Sequence, residues 1–158
     1  MVQILLIIAS IAAGAAVGWL IPWFDKIAYI YILHPEAQVA QYVKYQISQK
    51  QWRGAWTSLK LRSREFDQLT TRGVLFQLAW VVLAFFAVTS AAGWFGKTLV
   101  LALGARILAE EWREWFTDKL VLKQKLFWQV KKEWSDQELK IYLIIMTLVF
   151  AWLVRLYI

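Results

Sequence analysis

The chain predicts an all-α integral membrane protein with four transmembrane helices and two amphipathic or interfacial helical segments on its cytoplasmic side. Three observations carry that expectation. All eleven acidic residues fall within residues 25–73 and 110–139. The chain is 60% hydrophobic, against about 45–50% in ordinary soluble domains. It also holds eleven tryptophans, the residue whose apolar ring and polar N–H suit a membrane–water boundary. A hydrocarbon core excludes charge and its margins tolerate it, so segregation of this kind is what insertion requires.

The length of 158 residues suits one membrane domain covering 1–158. With no cysteine there can be no disulfide, thiolate metal site, iron–sulfur cluster or cysteine nucleophile. His34 is the single histidine, so one chain cannot build a multi-histidine metal site or a bis-histidine haem, and no cofactor is expected. The net charge of +7 reads first as attraction to anionic lipid headgroups; nucleic acid is the weaker partner.

The first span is expected at about 4–24, a run of apolar and small residues that would cover roughly 30 Å as a helix. A cleaved signal peptide competes, because Ala13-Gly14-Ala15 resembles a cleavage site. The uncharged Met1-Val2-Gln3 and the aromatic end at Trp19, Trp23 and Phe24 favour a retained span. Ser10, Gly14 and Gly18 recur every four residues, a stripe on which another helix of this chain, a second copy or a membrane partner could pack closely.

Residues 25–73 form the first cytoplasmic segment. His34-Pro35-Glu36 resembles a helix start, and Val39, Tyr42, Val43 and Ile47 follow at helical spacing. Gly54 is expected to interrupt or bend this element. Lys44, Lys50, Arg53, Lys60, Arg62 and Arg64 interleave with Trp52 and Trp56, as expected of a surface helix beside anionic lipid or packed on its neighbour. The same mixture can bind single-stranded nucleic acid, but tethering to the membrane makes lipid the better partner.

The second span is expected at 74–95, followed by a tight turn at Gly93-Trp94-Phe95-Gly96. The third, at 97–116, is the ambiguous one because its apolar centre is short and contains Arg106. Charge bias resolves it. If this run crosses, both charged segments, with eight and six Lys/Arg, share one face, as the positive-inside rule prefers. Residues 117–138 then carry Leu126, Phe127, Val130 and Trp134 at 3–4 spacing, a second interfacial helix. Ser135-Asp136-Gln137-Glu138 forms a capping box that launches the last span, at 139–157. Both termini then lie outside the bacterial inner membrane.

No residue set points to catalysis. H-E-x-x-H, G-x-S-x-G and G-x-x-x-x-G-K are all absent. Arg106 could handle an ion within the membrane, but it is better read as an interfacial residue paired with Glu110 one turn on. Glu110, Glu114 and Asp118 share a helical face; the nearby Arg106, Arg113 and Lys119 favour an ion-paired surface over a metal site. Gln77 is a polar group inside the second span.

Several strings carry a family resemblance: Gln41-Tyr42-Val43-Lys44-Tyr45, Gln51-Trp52-Arg53-Gly54-Ala55-Trp56, Val74-Leu75-Phe76-Gln77, Gly93-Trp94-Phe95-Gly96-Lys97 and Leu126-Phe127-Trp128-Gln129-Val130-Lys131. With His34-Pro35-Glu36, they make the chain resemble small multi-helix membrane proteins of ultrasmall candidate-phylum bacteria. That resemblance implies a shared fold and brings no activity. Where it leads one to expect a histidine and an aspartate, the chain has Arg106 and Glu110, which weakens any ligand pair there. The leading expectation is a non-enzymatic scaffold or accessory subunit. The alternatives are a small oligomeric channel or transporter using Arg106, Gln77, Thr89 or Ser90, and a lipid-headgroup-modifying enzyme using Glu110 or Glu114.

Overall fold

The computed structural model describes residues 2–62, 66, 69–130 and 134–158, the side chain of Lys60 excepted. Every described element is helical. In chain order these are α1 (Val2–Ala28, continued by a π turn over Tyr29–Leu33), α2 (Gln38–Ser48), α3 (Trp52–Leu61), a 3₁₀ turn (Thr70–Arg72), α4 (Val74–Thr89), α5 (Trp94–Thr117), α6 (Lys119–Phe127) and α7 (Asp136–Tyr157).

The long helices bundle around α5, which packs against α1, α4 and α7. Its buried residues, among them Val100, Leu101, Leu103, Gly104, Ile107 and Leu108, face these neighbours. Helix α1 runs parallel to α5: Gly14 lies against Phe95 and Thr98, and Gly18 against Leu99 and Leu103. The approach is close enough that a Cβ on Gly18 would strike the Leu99 carbonyl oxygen. Small residues permit such contact, and dispersion and backbone packing then hold the pair. Helices α4 and α7 run the other way. The Trp80 indole N–H donates to the Val100 carbonyl (3.0 Å), and its ring lies across Gly104. Trp112 Nε1 donates to Thr147 Oγ1 (3.0 Å), while Trp94 meets Tyr157 edge-on at the far end. The start of α1, the α4–α5 turn and the end of α7 thus share one end of the bundle, and α2, α3 and α6 gather at the other.

Among the described residues two helices are long and apolar enough to cross a membrane, Val2–Leu33 and Asp136–Tyr157. Helix α4 is strongly apolar but has 16 residues, roughly 24 Å of rise. It stops at Thr89, short of the expected 95. The Ala92 N–H donates to Ser90 Oγ (3.2 Å), and extended Gly93 caps α5. Trp94 to Gly96 therefore open α5 instead of forming the turn.

The break in the first charged segment falls at Gln49–Lys50, not at Gly54, which lies inside α3. Lys50 takes the left-handed backbone conformation (φ 57°) that ends α2. Of the α2 stripe, Val39 and Val43 are buried with Ala40 against Tyr29, Ile30 and Phe66, and Ile47 packs beside them, whereas Tyr42 is exposed. His34-Pro35-Glu36 forms the turn before α2, where the Glu36 backbone N–H and then His34 hold its carboxyl below the usual range. The capping box forms as the sequence predicts. The Ser135 N–H donates to Glu138 Oε2 (2.9 Å), and the Glu138 N–H to Ser135 Oγ (3.1 Å).

Helix α6 ends at Phe127, before Val130 and Trp134. The expected interfacial face is instead turned inward. Leu122, Leu126 and Phe127 are buried against Leu139 and Leu143, with Trp112, Trp115 and Trp134 alongside. The chain turns at Asp118, whose extended backbone ends α5 and whose Oδ1 accepts the Val121 N–H (3.3 Å) to cap α6.

Candidate functional site

The most chemically loaded region lies where α5 leaves the apolar part of the bundle. It begins with Asp25, buried near the end of α1. Asp25 Oδ2 accepts from the Thr71 backbone N–H (2.8 Å) and from Thr71 Oγ1 (2.7 Å). This fixes the 3₁₀ turn and delivers the next residue, Arg72, to the flank of α5. The Arg72 guanidinium bridges Glu110 and Glu114, with Nη1 donating to Glu114 Oε1 (2.5 Å). Lys125 of α6 donates to the same Glu114 oxygen (2.8 Å), and Arg106 pairs with Glu110 one turn away. Arg106 also rests on the Trp19 ring, 4.9 Å from its centroid.

A second layer lies deeper. Glu111 and Gln77 are buried, at 2% and 1% exposure. The Gln77 amide donates to Glu111 Oε1 and accepts from the Tyr142 hydroxyl (2.6 Å). These bonds join α4, α5 and α7. Buried polar groups of this kind hold a bundle in one register because each is costly when unpaired. Three atoms here are buried without a hydrogen-bond partner among the described residues: Arg106 Nε, Glu111 Oε2 and Glu114 Oε2. Beyond Gln77 the core turns apolar, through Trp80, Ala84, Val88, Leu103, Met146 and Leu153.

A cavity of about 490 Å³ opens on the first layer, walled by Trp23, Lys26, Leu61, Arg72, Arg106, Glu110, Arg113 and Glu114. Trp23 stacks on Trp56 of α3 (4.4 Å between centroids), which fixes its near wall. An apolar groove between α1 and α5 is lined by Ala15, Ala16, Trp19, Leu20, Ala102 and Ala105.

The predicted residues divide accordingly. Arg106, Glu110 and Gln77 come together. Gly14 and Gly18 are consumed by contact with α5, and Ser10 is half-buried at the start of the same face. Of the six basic residues, four have described side chains. Lys50 and Arg53 are exposed; Lys44 lies over Tyr31 (5.4 Å), and Arg62 over Tyr42 (5.1 Å). Arg64 and the Lys60 side chain lie outside the described residues. Asp118 lies just past the end of α5 and caps α6, yet it still lines the same cavity as Glu110 and Glu114.

Sequence reasoning missed Arg72, Lys125, Asp25 and Tyr142. Their partners lie between 11 and 65 positions away, beyond the reach of helical periodicity. Only Glu111, an acid on the inward side of a helix whose neighbours Ile107 and Leu108 are apolar, left a local signal. Among the described residues no group of three or more His, Cys, Asp or Glu could hold a metal ion. Comparison with protein-family models, curated proteins and solved structures gave no match.

Proposed function

We propose that the chain is a four-span protein of the bacterial inner membrane, crossing at about 4–24, 74–95, 97–116 and 139–157. It acts as a non-enzymatic scaffold or accessory subunit, and its charged segments form a folded helical cap on the cytoplasmic face that meets anionic lipid or a membrane partner. One observation carries this reading: large apolar side chains point outward from the helices that surround α5. Leu5, Val17 and Leu20 do so on α1, Leu78, Val82, Leu83 and Phe86 on α4, and Ile141, Ile145, Leu148 and Trp152 on α7. Exposed apolar surface of that extent needs a lipid or protein cover. The charged helix α5 is shielded by the other three, which explains how a span could contain Arg106 and Glu111.

The chemistry favours a scaffold over the alternatives. A path through one chain would have to cross the apolar layer from Trp80 to Val88, and of the channel candidates only Thr89 and Ser90, at the end of α4, are exposed. Glu110 and Glu114 are engaged by Arg72, Arg106 and Lys125, which leaves them poor bases for headgroup chemistry.

Impermeant maleimide labelling of single-cysteine variants tests the topology, since the chain has no native cysteine. Ser48→Cys and Gln124→Cys should label from the cytoplasmic side and Ala91→Cys from the other. Labelling of Ser48→Cys and Gln124→Cys from opposite sides overturns the four-span arrangement. Purification in mild detergent followed by native mass determination tests the scaffold role. A strictly monomeric, partnerless chain overturns it.

A further inference from the structure

We infer that the cavity between the end of α1 and the flank of α5 is a binding site for a phosphate group, supplied by an anionic lipid headgroup, with Lys26 and Arg113 as its principal ligands. The inference rests on the membrane reading for the source of the phosphate but not for the site itself.

Charge bookkeeping comes first. Lys26, Arg72, Arg106 and Arg113 line the cavity, against Glu110, Glu114 and Asp118. Lys125 adds a further positive charge directly behind Glu114. The carboxylates of Glu110 and Glu114 already serve Arg72, Arg106 and Lys125. Lys26 and Arg113 pair with no carboxylate among the described residues. The Lys26 amine is half-buried, and its contacts are the Leu59 carbonyl (3.5 Å) and the faces of Trp23 (4.7 Å) and Phe66 (5.9 Å). A cation withdrawn from water without an anion is costly, and a bound anion would remove that cost.

Arg106 contributes a donor that is unused among the described residues. Arg106 lines the same cavity, and its Nε is buried with no acceptor while its terminal nitrogen is committed to Glu110. A planar guanidinium, a second free guanidinium and an ammonium around one cavity make the donor set suited to phosphate oxygens. The volume of about 490 Å³ exceeds a bare phosphate and admits a small headgroup. Position supplies the source. Lys26 follows the first proposed span by two residues, and Trp19 and Trp23 flank the site, the depth at which headgroup phosphates lie.

The test uses the full chain and two probes. Native mass spectrometry from mild detergent measures binding of phosphatidylglycerol against phosphatidylcholine. Titration with soluble glycerol 3-phosphate measures the phosphate site without acyl chains. The Lys26→Gln/Arg113→Gln double variant removes the uncommitted cations and leaves the Arg72 bridge intact. Phosphatidylglycerol binding should weaken about ten- to hundredfold in that variant, the loss of a charge-assisted bond or two. Lys50→Gln/Arg53→Gln, in the exposed basic segment, should bind like the wild type, and Lys26→Arg should retain most affinity. Glycerol 3-phosphate binding as tight as that of the lipid, and lost in the double variant, supports the phosphate site and makes its source a soluble ester. Binding of either probe that is unchanged in the Lys26→Gln/Arg113→Gln variant overturns the proposal, as does a failure of both probes to bind. Because glycerol 3-phosphate needs no bilayer, a failed topology would show in the labelling experiment and leave this arm standing.

Discussion

Replacing Gly18 by alanine tests whether the α1–α5 contact holds the bundle together. A Cβ at this position would overlap the Leu99 carbonyl oxygen and come within 3.1 Å of both Ala102 Cβ and the Leu103 backbone nitrogen. Two of these obstacles are backbone atoms of a helix, so no rotamer change relieves them; the helices must separate. Overpacking of this kind costs about 1–3 kcal/mol. Alanine also favours the helix over glycine by up to about 1 kcal/mol, an opposing term that the control must share. Gly96→Ala supplies it, because the nearest atom to its added Cβ is Ala92 Cβ at 4.0 Å. The difference between the two variants isolates the overlap at about 1–3 kcal/mol, roughly a 5- to 150-fold change in the folded-to-unfolded ratio. Equilibrium unfolding in mixed micelles of rising dodecyl sulfate content, followed by far-UV circular dichroism, measures it. If Gly18→Ala and Gly96→Ala unfold together, the close approach is not what holds α1 in place. A change in oligomer mass without a change in unfolding would return the glycine stripe to self-association.

The ion cluster and the helix start give three further tests by the same assay. Arg72→Met leaves the paired carboxylates of Glu110 and Glu114 short of a cation and should cost about 3–5 kcal/mol; a loss below about 1 kcal/mol would mean that the bridge is a solvated surface pair. Glu111→Ala removes the acceptor of the Gln77 amide and should cost about 1–3 kcal/mol, whereas Glu111→Gln keeps an acceptor oxygen and should cost less than half as much. Equal losses would separate Glu111 from the Gln77–Tyr142 chain. Ser135→Ala breaks the capping box and should cost about 1 kcal/mol; an unchanged stability would mean that the Ser135 hydroxyl does not hold the start of α7.

The parts of the fold legible in the sequence were those determined by local chemistry. The capping box needs only four adjacent residues, and it forms. The Arg106–Glu110 pair needs only helical spacing, and it forms too. Lys50 shows the limit of such reasoning. Gly54 looked like the flexible point, but the break came four residues earlier, at a lysine in the left-handed region, because the packing of Ala55 and Leu59 keeps Gly54 within a helix. The apolar spacing of α6 was visible, but its direction was not. An amphipathic stripe faces membrane or core according to how the preceding turn aims the helix, and here the chain turns at Asp118 and the stripe packs on α7. The candidate site was legible only along α5. Arg72 and Lys125 reach it through the fold, and nothing in their own neighbourhoods marks them as partners of Glu114.

Helix α5 shows why composition and architecture must be weighed together. Taken alone, its lysine, two arginines and three glutamates disqualify it as a lipid-exposed span. Such a test assumes that each helix meets lipid by itself, and α5 does not: α1, α4 and α7 cover it, and its charges are met by Arg72 from the turn before α4 and Lys125 from α6. The cost of carrying charge on a central helix is therefore transferred to the elements that compensate it. For that reason Asp25, which holds the 3₁₀ turn, matters to α5 through Arg72. By this logic the cavity beside Lys26 and Arg113 is a place where compensation stops short. Among the described residues the half-buried Lys26 and the exposed Arg113 pair with no carboxylate, and an anion from the lipid headgroup layer would complete the pairing that Glu110 and Glu114 achieve with Arg72, Arg106 and Lys125.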